Sequence, residues 1–365
     1  MKRVGVGVIG CGNISAAYLK AAKFFPLLDI RALADINPAA AEARGAEFGV
    51  PARSVAALLA DEAIEIVLNL TIPNAHVEVG LQAVAAGKHV HSEKPLGVNL
   101  EEARRLVRAA VEKGVRLGCA PDTFLGGAHQ TARKLIDEGL IGRPIGGTAF
   151  FMCPGHERWH PNPGFYYLRG GGPILDMGPY YITDLVNLLG PVASVSGVAT
   201  QLRAERVVAS QPLAGARVPV EVATHVTGVL LFVSGAAVSL TISFDVARHK
   251  HTPLEIYGEK GSLVVPDPNY FGGKILFGGA TEDWREIPTE HGYADGNYRI
   301  IGVADMARAI RENRPHRASG SLAYHVLEVM QAFQASSDSG SAVTIESRPE
   351  RPAALEPGVS IGELD

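Results

Sequence analysis

Two overlapping glycine patterns stand near the start of this 365-residue chain. Gly5-x-Gly7-x-x-Gly10 has the literal spacing of a phosphate-cradling turn, yet its glycines fall inside Val4–Ile9, an apolar run that reads as a strand. The chemistry needs the turn after the strand and before a helix, where free N–H groups and the helix dipole meet anionic phosphates. Gly10-x-Gly12-x-x-Ser15 meets that need, and Ser15 is small enough to pack where a third glycine is usual. Gly10, Gly12, Asn13 and Ile14 are therefore the expected phosphate cradle. Asp35 ends the next strand, about 20 residues further on, where such a fold places the acid that accepts adenosine ribose hydroxyls. A carboxylate there repels a 2′-phosphate, so the pattern predicts NAD and disfavours NADP. The competing reading of Asp35 is a turn residue before the Pro38 helix.

A second constellation combines Lys94 with Asp176 and Tyr180. Lys94 lies in His91-Ser92-Glu93-Lys94-Pro95-Leu96, after a short strand whose end faces the ligand crevice of a doubly wound sheet. Pro95 biases Lys94 towards extended geometry, which lets the ammonium reach across that crevice and hold a substrate hydroxyl. Asp176, Tyr180 and Asp184 follow at four-residue spacing, one face of a helix over Met177–Leu189. Oxidising an alcohol removes a hydride from carbon and a proton from oxygen, and a group within hydrogen-bond reach must take the proton. A free phenol suits donation better than acceptance at neutral pH; an ammonium beside it favours the phenolate. The expectation is that Tyr180 moves the proton, Lys94 is its electrostatic partner and Asp176 holds a substrate hydroxyl. Asp176 as a helix cap, and Tyr181 as the functional tyrosine, are the alternatives.

His156-Glu157-Arg158-Trp159-His160 matches H-E-x-x-H, which binds zinc when a helix carries it. Pro154-Gly155 before it and Pro161-Asn162-Pro163-Gly164 after it leave no room for that helix. The segment reads instead as a substrate loop with no metal. Trp159, Phe165 and Tyr166 offer apolar ring faces; His156, Arg158, His160 and Asn162 offer polar contacts; Gly170–Gly172 allow closure. His156, Trp159, His160 and Tyr166 are the substrate contacts chosen from it. Arg248, His249 and His251 end a strand that could face the same cleft.

The elements that must position these groups change character along the chain. Up to about residue 120, strands at Val4–Ile9, Ile30–Ala34, Ile64–Leu70, Lys88–His91 and Val115–Cys119 alternate with helices at Ile14–Phe25, Pro38–Phe48, Ala75–Ala86 and Leu100–Lys113. That rhythm predicts a parallel sheet with right-handed crossovers. After a helix at Gly127–Glu138 come strands at Ile145–Met152, Val192–Arg203, Glu221–Val233, Ala237–Val246, Leu254–Tyr257 and Ser262–Val265. With few helices between them, these predict an antiparallel sheet. Helices at Tyr298–Glu312 and Leu322–Ser336 close the pattern, and the Pro-, Glu- and Gly-rich tail is expected to be weakly structured. The expected division is a Rossmann domain over 1–121, a substrate and oligomer domain over 122–345 and a tail over 346–365. The fold class is α/β: a doubly wound parallel sheet, then an α+β unit with a large, mostly antiparallel open sheet.

A net charge of −4 offers no basic surface for nucleic acid. The uncharged stretch Val226–Phe244 is long enough for a membrane helix, but its Ser234-Gly235-Ala236 break reads as a turn between two strands, so no membrane partner is expected. Three scattered cysteines predict a reducing, cytoplasmic setting rather than a disulfide framework.

Taken in order, Gly10-Cys11-Gly12-Asn13-Ile14, Thr71-Ile72-Pro73-Asn74-Ala75-His76, Glu93-Lys94-Pro95-Leu96 and Gly170-Gly171-Gly172-Pro173-Ile174-Leu175-Asp176-Met177-Gly178 resemble the glucose–fructose oxidoreductase / inositol dehydrogenase / rhizopine-catabolism (Gfo/Idh/MocA) family over nearly the whole chain. The resemblance implies NAD, a carbohydrate-like substrate and a homodimer or homotetramer through the open sheet. It places Lys94 between nicotinamide and substrate, with Thr71, Pro73, Asn74, His76 and Glu93 along the cofactor cleft. Many members have histidine four residues after the aspartate; here that position is Tyr180, as in some others. The expected activity is hydride transfer between nicotinamide and a sugar or polyol. An NAD-retaining glycoside hydrolase and a sugar-sensing regulator are the alternatives.

Overall fold

The computed structural model describes residues 1–365. The first part alternates β1 (Val4–Ile9), α1 (Ser15–Ala22), β2 (Leu28–Ala34), α2 (Pro38–Phe48), α3 (Val55–Ala60), β3 (Ile66–Asn69), α4 (His76–Ala85), β4 (His89–Ser92), α5 (Leu100–Lys113) and β5 (Leu117–Cys119). Local chemistry sets the helix ends. The Asn37 side chain accepts from Ala39 N ahead of Pro38, and α2 stops at Gly49 with φ +70°. Asn99 accepts from Glu102 N, and α5 stops at Gly114 with φ +70°. The five strands pair in parallel in the order β2-β1-β3-β4-β5. The order reverses between β1 and β3, which opens a crevice beyond their C-terminal ends.

The chain continues with α6 (Gly127–Asp137), β6 (Pro144–Met152), α7 (Pro173–Leu189), β7 (Val192–Thr200), β8 (Glu205–Val207), β9 (Arg217–Pro219), β10 (His225–Phe232), β11 (Ala237–Ser243), β12 (Leu254–Gly258), β13 (Gly261–Val265), β14 (Ile275–Gly279), β15 (Arg285–Ile287), α8 (Ile301–Glu312), α9 (Gly320–Ser339) and β16 (Val343–Thr344). Nine strands form one sheet, ordered β15-β14-β13-β12-β6-β11-β10-β7-β16. Every pairing is antiparallel except β6 with β11. Residues Val226–Phe244 form the β10–β11 hairpin and its exit, not a membrane helix, and no helix is long and apolar enough to cross a membrane.

Three expectations need correction. First, α7 begins at Pro173, after Gly172 with φ +92°, and carries Pro179 inside it. A proline at the first helical position costs no hydrogen bond. The expected start at Met177 is one turn late, and Pro179 sits inside the helix although proline usually breaks one. Second, the tail is pinned. Leu355 and Leu364 are buried, and Arg317 pairs with Asp365 at 2.7 Å while holding the buried Asp305 at 2.7 Å. Proline and glycine content reports a lack of regular structure, not a lack of docking. Third, α3, β8, β9, β14, β15 and β16 form where no element is expected; β8, β9, β15 and β16 hold three residues or fewer, too few for a periodic signal.

Candidate active site

Three segments converge where the parallel strands end: the glycine turn after β1, Leu70–Pro73 after β3 and Glu93–Pro95 after β4. The loop over residues 154–172 and the first turns of α7 close over them. Between the two sides lies a cavity of about 740 Å³.

The floor of the cavity is the glycine turn. Gly10 has φ +104°, and a Cβ there would come within 2.5 Å of the Leu70 carbonyl, so only glycine fits. A Cβ on Gly12 would meet nothing within 4 Å, so the space above it is clear. The amides of Gly12, Asn13 and Ile14 donate to no other group of the protein. They sit at the N-terminus of α1 and suit a diphosphate. Ser15 is buried and donates to the Gly12 carbonyl at 2.6 Å, as a packed replacement for glycine should. Asp35 stands directly beyond β2. One of its oxygens accepts from Cys11 N at 2.7 Å and the other from Asn37 N at 2.8 Å. The helix cap is Asn37, not Asp35. The carboxylate is thus fixed at the glycine turn with lone pairs to spare for ribose hydroxyls. Gly5 and Gly7 lie within β1, where a Cβ on Gly5 would strike the Ala63 carbonyl oxygen at 1.8 Å. Those two serve packing.

Thr71, Pro73, His76 and Glu93 line the cavity, while Asn74 is exposed outside its wall, beside Gly170. His76 braces the wall. Its ring nitrogens lie 2.7 Å from the Pro95 carbonyl and 2.9 Å from the Thr71 carbonyl, and burial outweighs both to lower its pKa. Glu93 accepts from the Tyr18 hydroxyl at 2.7 Å and from Lys94 N at 2.8 Å. Burial, with Glu93 next to it, pushes the Tyr18 phenol up.

Lys94 reaches across to α7. Its Nζ donates to Asp176 Oδ1 at 2.8 Å and to the Asp176 carbonyl at 2.7 Å. Burial alone would lower the ammonium's pKa, but the charges of Asp176, Tyr180 and Glu93 prevail and raise it, so it stays a cation. Asp176 is the reciprocal case: burial pushes it up, and the Lys94 charge with the His156 hydrogen bond brings it down to about 2. The same ammonium lies 5.2 Å from the centre of the Tyr180 ring, and Arg299 approaches that ring at 6.0 Å. The Tyr180 hydroxyl meets Arg299 at 3.5 Å, while Asn269 holds Arg299 at 2.9 Å. Tyr181 turns away to Asp267 at 3.2 Å and does not line the cavity.

The four-residue spacing does not carry through to Asp184. That residue is fully buried against His129 at 2.8 Å. Eight residues at about 100° each end some 80° around the helix, which is enough to move from cavity wall to core. Burial works against the His129 imidazolium, but Asp184 dominates and raises its pKa.

His156, Trp159, His160 and Tyr166 all line the cavity. His156 Nε2 lies 3.0 Å from Asp176 Oδ2, and the Trp159 indole N–H donates to His156 Nδ1 at 3.2 Å. Burial lowers the imidazole, but hydrogen bonding and charge from Asp176, with Cys153, take it up to about 9. An indole N–H can only donate, so that contact describes the neutral ring. Protonation requires Trp159 to withdraw, and at 61% exposure it can do so cheaply, whereas the buried Asp176 charge remains. Glu157 is turned beneath the loop, paired with Arg206 at 3.1 Å and with the Tyr167 hydroxyl; Arg206 also pairs with Asp245. That glutamate is a structural anchor. Arg248, His249 and His251 are exposed at the sheet, where His251 stacks on Phe150 at 4.1 Å, and they line no part of the cavity.

Comparison with known proteins bears on the same regions. Residues 4–120 match a model described as an oxidoreductase family with an NAD-binding Rossmann fold, and residues 129–264 match the GFO/IDH/MocA C-terminal domain. The 1,5-anhydro-D-fructose reductase of Ensifer adhaerens is 33% identical over 221 residues, 60% of this chain and 61% of that protein. Levoglucosan dehydrogenase of Pseudarthrobacter phenanthrenivorans is 26% identical over 377 residues, 91% of this chain and 96% of that one. A structure of levoglucosan dehydrogenase with NADH has a TM-score of 0.83 at 24% identity, covering 95% of this chain and all (100%) of the other. Another, with NADH and levoglucosan, has a TM-score of 0.81 at 25% identity, covering 95% and 100%. With both halves matched in order and the glycine turn suited to a dinucleotide, the chain belongs to the GFO/IDH/MocA oxidoreductase family and carries its NAD-binding Rossmann fold.

Proposed function

We propose that the protein is an NAD-dependent dehydrogenase or reductase acting on the CH–OH or C=O group of a sugar, a polyol or a related carbohydrate. The single observation that carries this reading is Lys94 Nζ at 2.8 Å from Asp176 Oδ1, on the wall of the cavity that the glycine turn floors. The named relatives support the substrate class, since they act on an anhydro-sugar and on anhydrofructose by their names. Gly10, Gly12, Asn13, Ile14, Asp35, Thr71, Pro73, His76 and Glu93 would hold the dinucleotide, and Asn74, outside the cavity wall, would not. When bound, it supplies the hydride acceptor or donor.

The rest of the chemistry belongs to the protein. Lys94 stabilises negative charge on the reacting oxygen, with an N–H left over after its two bonds to Asp176. Tyr180 flanks that oxygen and is oriented by Arg299. Asp176, held ionised, accepts from a neighbouring substrate hydroxyl. Trp159 and Tyr166 offer ring faces to the apolar side of a sugar ring, and His156 and His160 its polar contacts. Water exclusion comes from the aromatic loop over residues 154–172. The test is a screen for NAD reduction across sugars, inositols and sugar acids, paired with Lys94→Ala. Turnover with at least one polyol, lost in the variant, supports the reading; no turnover in either direction refutes it.

Val198, Val229 and Leu231 are exposed on inner strands of the nine-stranded sheet, which supports a homodimer or homotetramer through that face. Light scattering of a Val229→Lys/Leu231→Lys variant tests it. Three free thiols fit a reducing, cytoplasmic compartment. The division into 1–121, 122–345 and a tail over 346–365 is part of the same proposal.

A further inference from the structure

The hydroxyl of Tyr180 faces a guanidinium rather than a base or a carboxylate. A carboxylate–imidazole pair nonetheless exists in the same cavity. Asp176 Oδ2 takes His156 Nε2 at 3.0 Å, so the neutral ring presents the bare lone pair of Nδ1 on its other side. That lone pair accepts a hydrogen bond from the Trp159 indole at 3.2 Å, and Trp159 is 61% exposed at the cavity rim. A donor on an exposed side chain therefore occupies the place where a substrate O–H would donate.

We propose that His156 Nδ1 takes the proton from the substrate hydroxyl in oxidation and returns it in reduction, at the position to which the Trp159 N–H donates in this structure. The inference rests on the oxidoreductase reading above and deepens it. As the substrate's carbon gives up hydride to the dinucleotide, the O–H bonding pair becomes the second C–O bond and the proton passes to Nδ1. Asp176 at Nε2 then faces the imidazolium and stabilises it, the arrangement that makes a histidine an effective base. Lys94 and Tyr180 remain at the oxygen.

The groups around the ring agree with this role. Asp176 on α7 is the anion that favours the protonated ring, and Lys94 behind it moderates that charge. Cys153 after β6, and His160 and Tyr166 on the loop, are the other titratable neighbours, and Phe244 beyond β11 packs at 4.4 Å. The Glu157–Arg206–Asp245 cluster fixes the loop from below, and Tyr167 donates its hydroxyl to Glu157 while accepting from His156 N.

Two measurements test it. The first needs neither cofactor nor substrate. The chain has two tryptophans, so Trp284→Phe leaves Trp159, beside His156, as the sole tryptophan, excited selectively over tyrosine. Its emission should titrate with a midpoint above the ordinary histidine range, shift down in Asp176→Asn and lose the transition in His156→Gln. The second is the pH dependence of kcat/KM for oxidation, which reports the free enzyme and should rise with the same midpoint. His156→Gln should reduce kcat by about 10²-fold or more and flatten that limb, and Trp159→Phe, which removes a donor to the neutral ring, should move the limb to higher pH. Circular dichroism and retained NAD binding establish that each variant is folded. An active wild type whose limb and Trp159 titration both survive His156→Gln overturns the proton assignment alone. A wild type inactive with every alcohol and carbonyl, yet with an intact Trp159 titration, overturns the oxidoreductase reading itself.

Discussion

Lys94 and Asp176 lie 82 residues apart in sequence and meet through two hydrogen bonds, one to the carboxylate at 2.8 Å and one to the main-chain carbonyl at 2.7 Å. One residue follows a strand of the parallel sheet; the other opens the helix that packs on the nine-stranded sheet. Their contact is where the two halves of the site become one.

Lys94→Met keeps the length of the side chain and removes its charge. Turnover should fall by roughly 10²–10³-fold, the range for losing one preorganised donor at a developing oxyanion. NAD affinity, measured by fluorescence titration, should change little. The Asp176 carboxyl should rise from about 2, since burial then acts without its main opponent.

Tyr180→Phe removes the hydroxyl that meets Arg299 at 3.5 Å and leaves the ring under Lys94. We expect kcat to fall by about tenfold or more, with NAD binding intact. Wild-type turnover would take Tyr180 out of the mechanism.

Asp35→Ser should weaken NAD by about tenfold, consistent with the ~1.5–3 kcal/mol of hydrogen bonds to a charged group. It should also narrow the preference over NADP by removing the repulsion of a 2′-phosphate. Calorimetric titration with both cofactors would decide; unchanged selectivity would place the ribose elsewhere.

Arg206→Met leaves Glu157 and Asp245 without their shared cation inside the protein. Breaking a buried pair in this way costs about 3–5 kcal/mol, so the unfolding midpoint in urea should fall clearly. Because Glu157 anchors the loop that carries His156, KM should rise as well.

The pH dependence of stability has a defined sign. The folded His156 imidazole titrates near 9, above the unfolded value of about 6.5. Its stabilisation is complete below about pH 6.5 and is lost as pH climbs towards 9, on the order of 1–3 kcal/mol. Asp176 acts at the other end, contributing above about pH 3.9 and losing its contribution as pH falls towards 2. Denaturant melts at pH 6.5 and pH 9, for wild type and His156→Gln, should show the alkaline loss in the wild type alone.

The parallel sheet and the glycine turn were legible because their signals are local. Gly10, Gly12, Ser15 and Asp35 sit at spacings that the strand–turn–helix geometry dictates. Lys94, Asp176, Tyr180 and the loop histidines were recognised as residues, and the cavity brings them together. Their partners were not. Arg299 reaches Tyr180 from 119 positions further along the chain and is itself held by Asn269, and no periodicity encodes such meetings. Asp184 shared the spacing of Asp176 and Tyr180 but not their environment, because helical phase drifts with each step of four. Glu157 looked like part of a metal motif, yet its partner, Arg206, sits on a short strand that composition does not announce.

The main-chain half of the Lys94 contact has a use of its own. A peptide oxygen is present whatever side chain occupies position 176, so the ammonium keeps one mooring through any exchange there. Asp176→Asn should therefore separate charge from placement: the lysine stays where it is while the field around it changes. By the same logic, evolution could retune polarity at 176 for a new substrate without setting the lysine adrift.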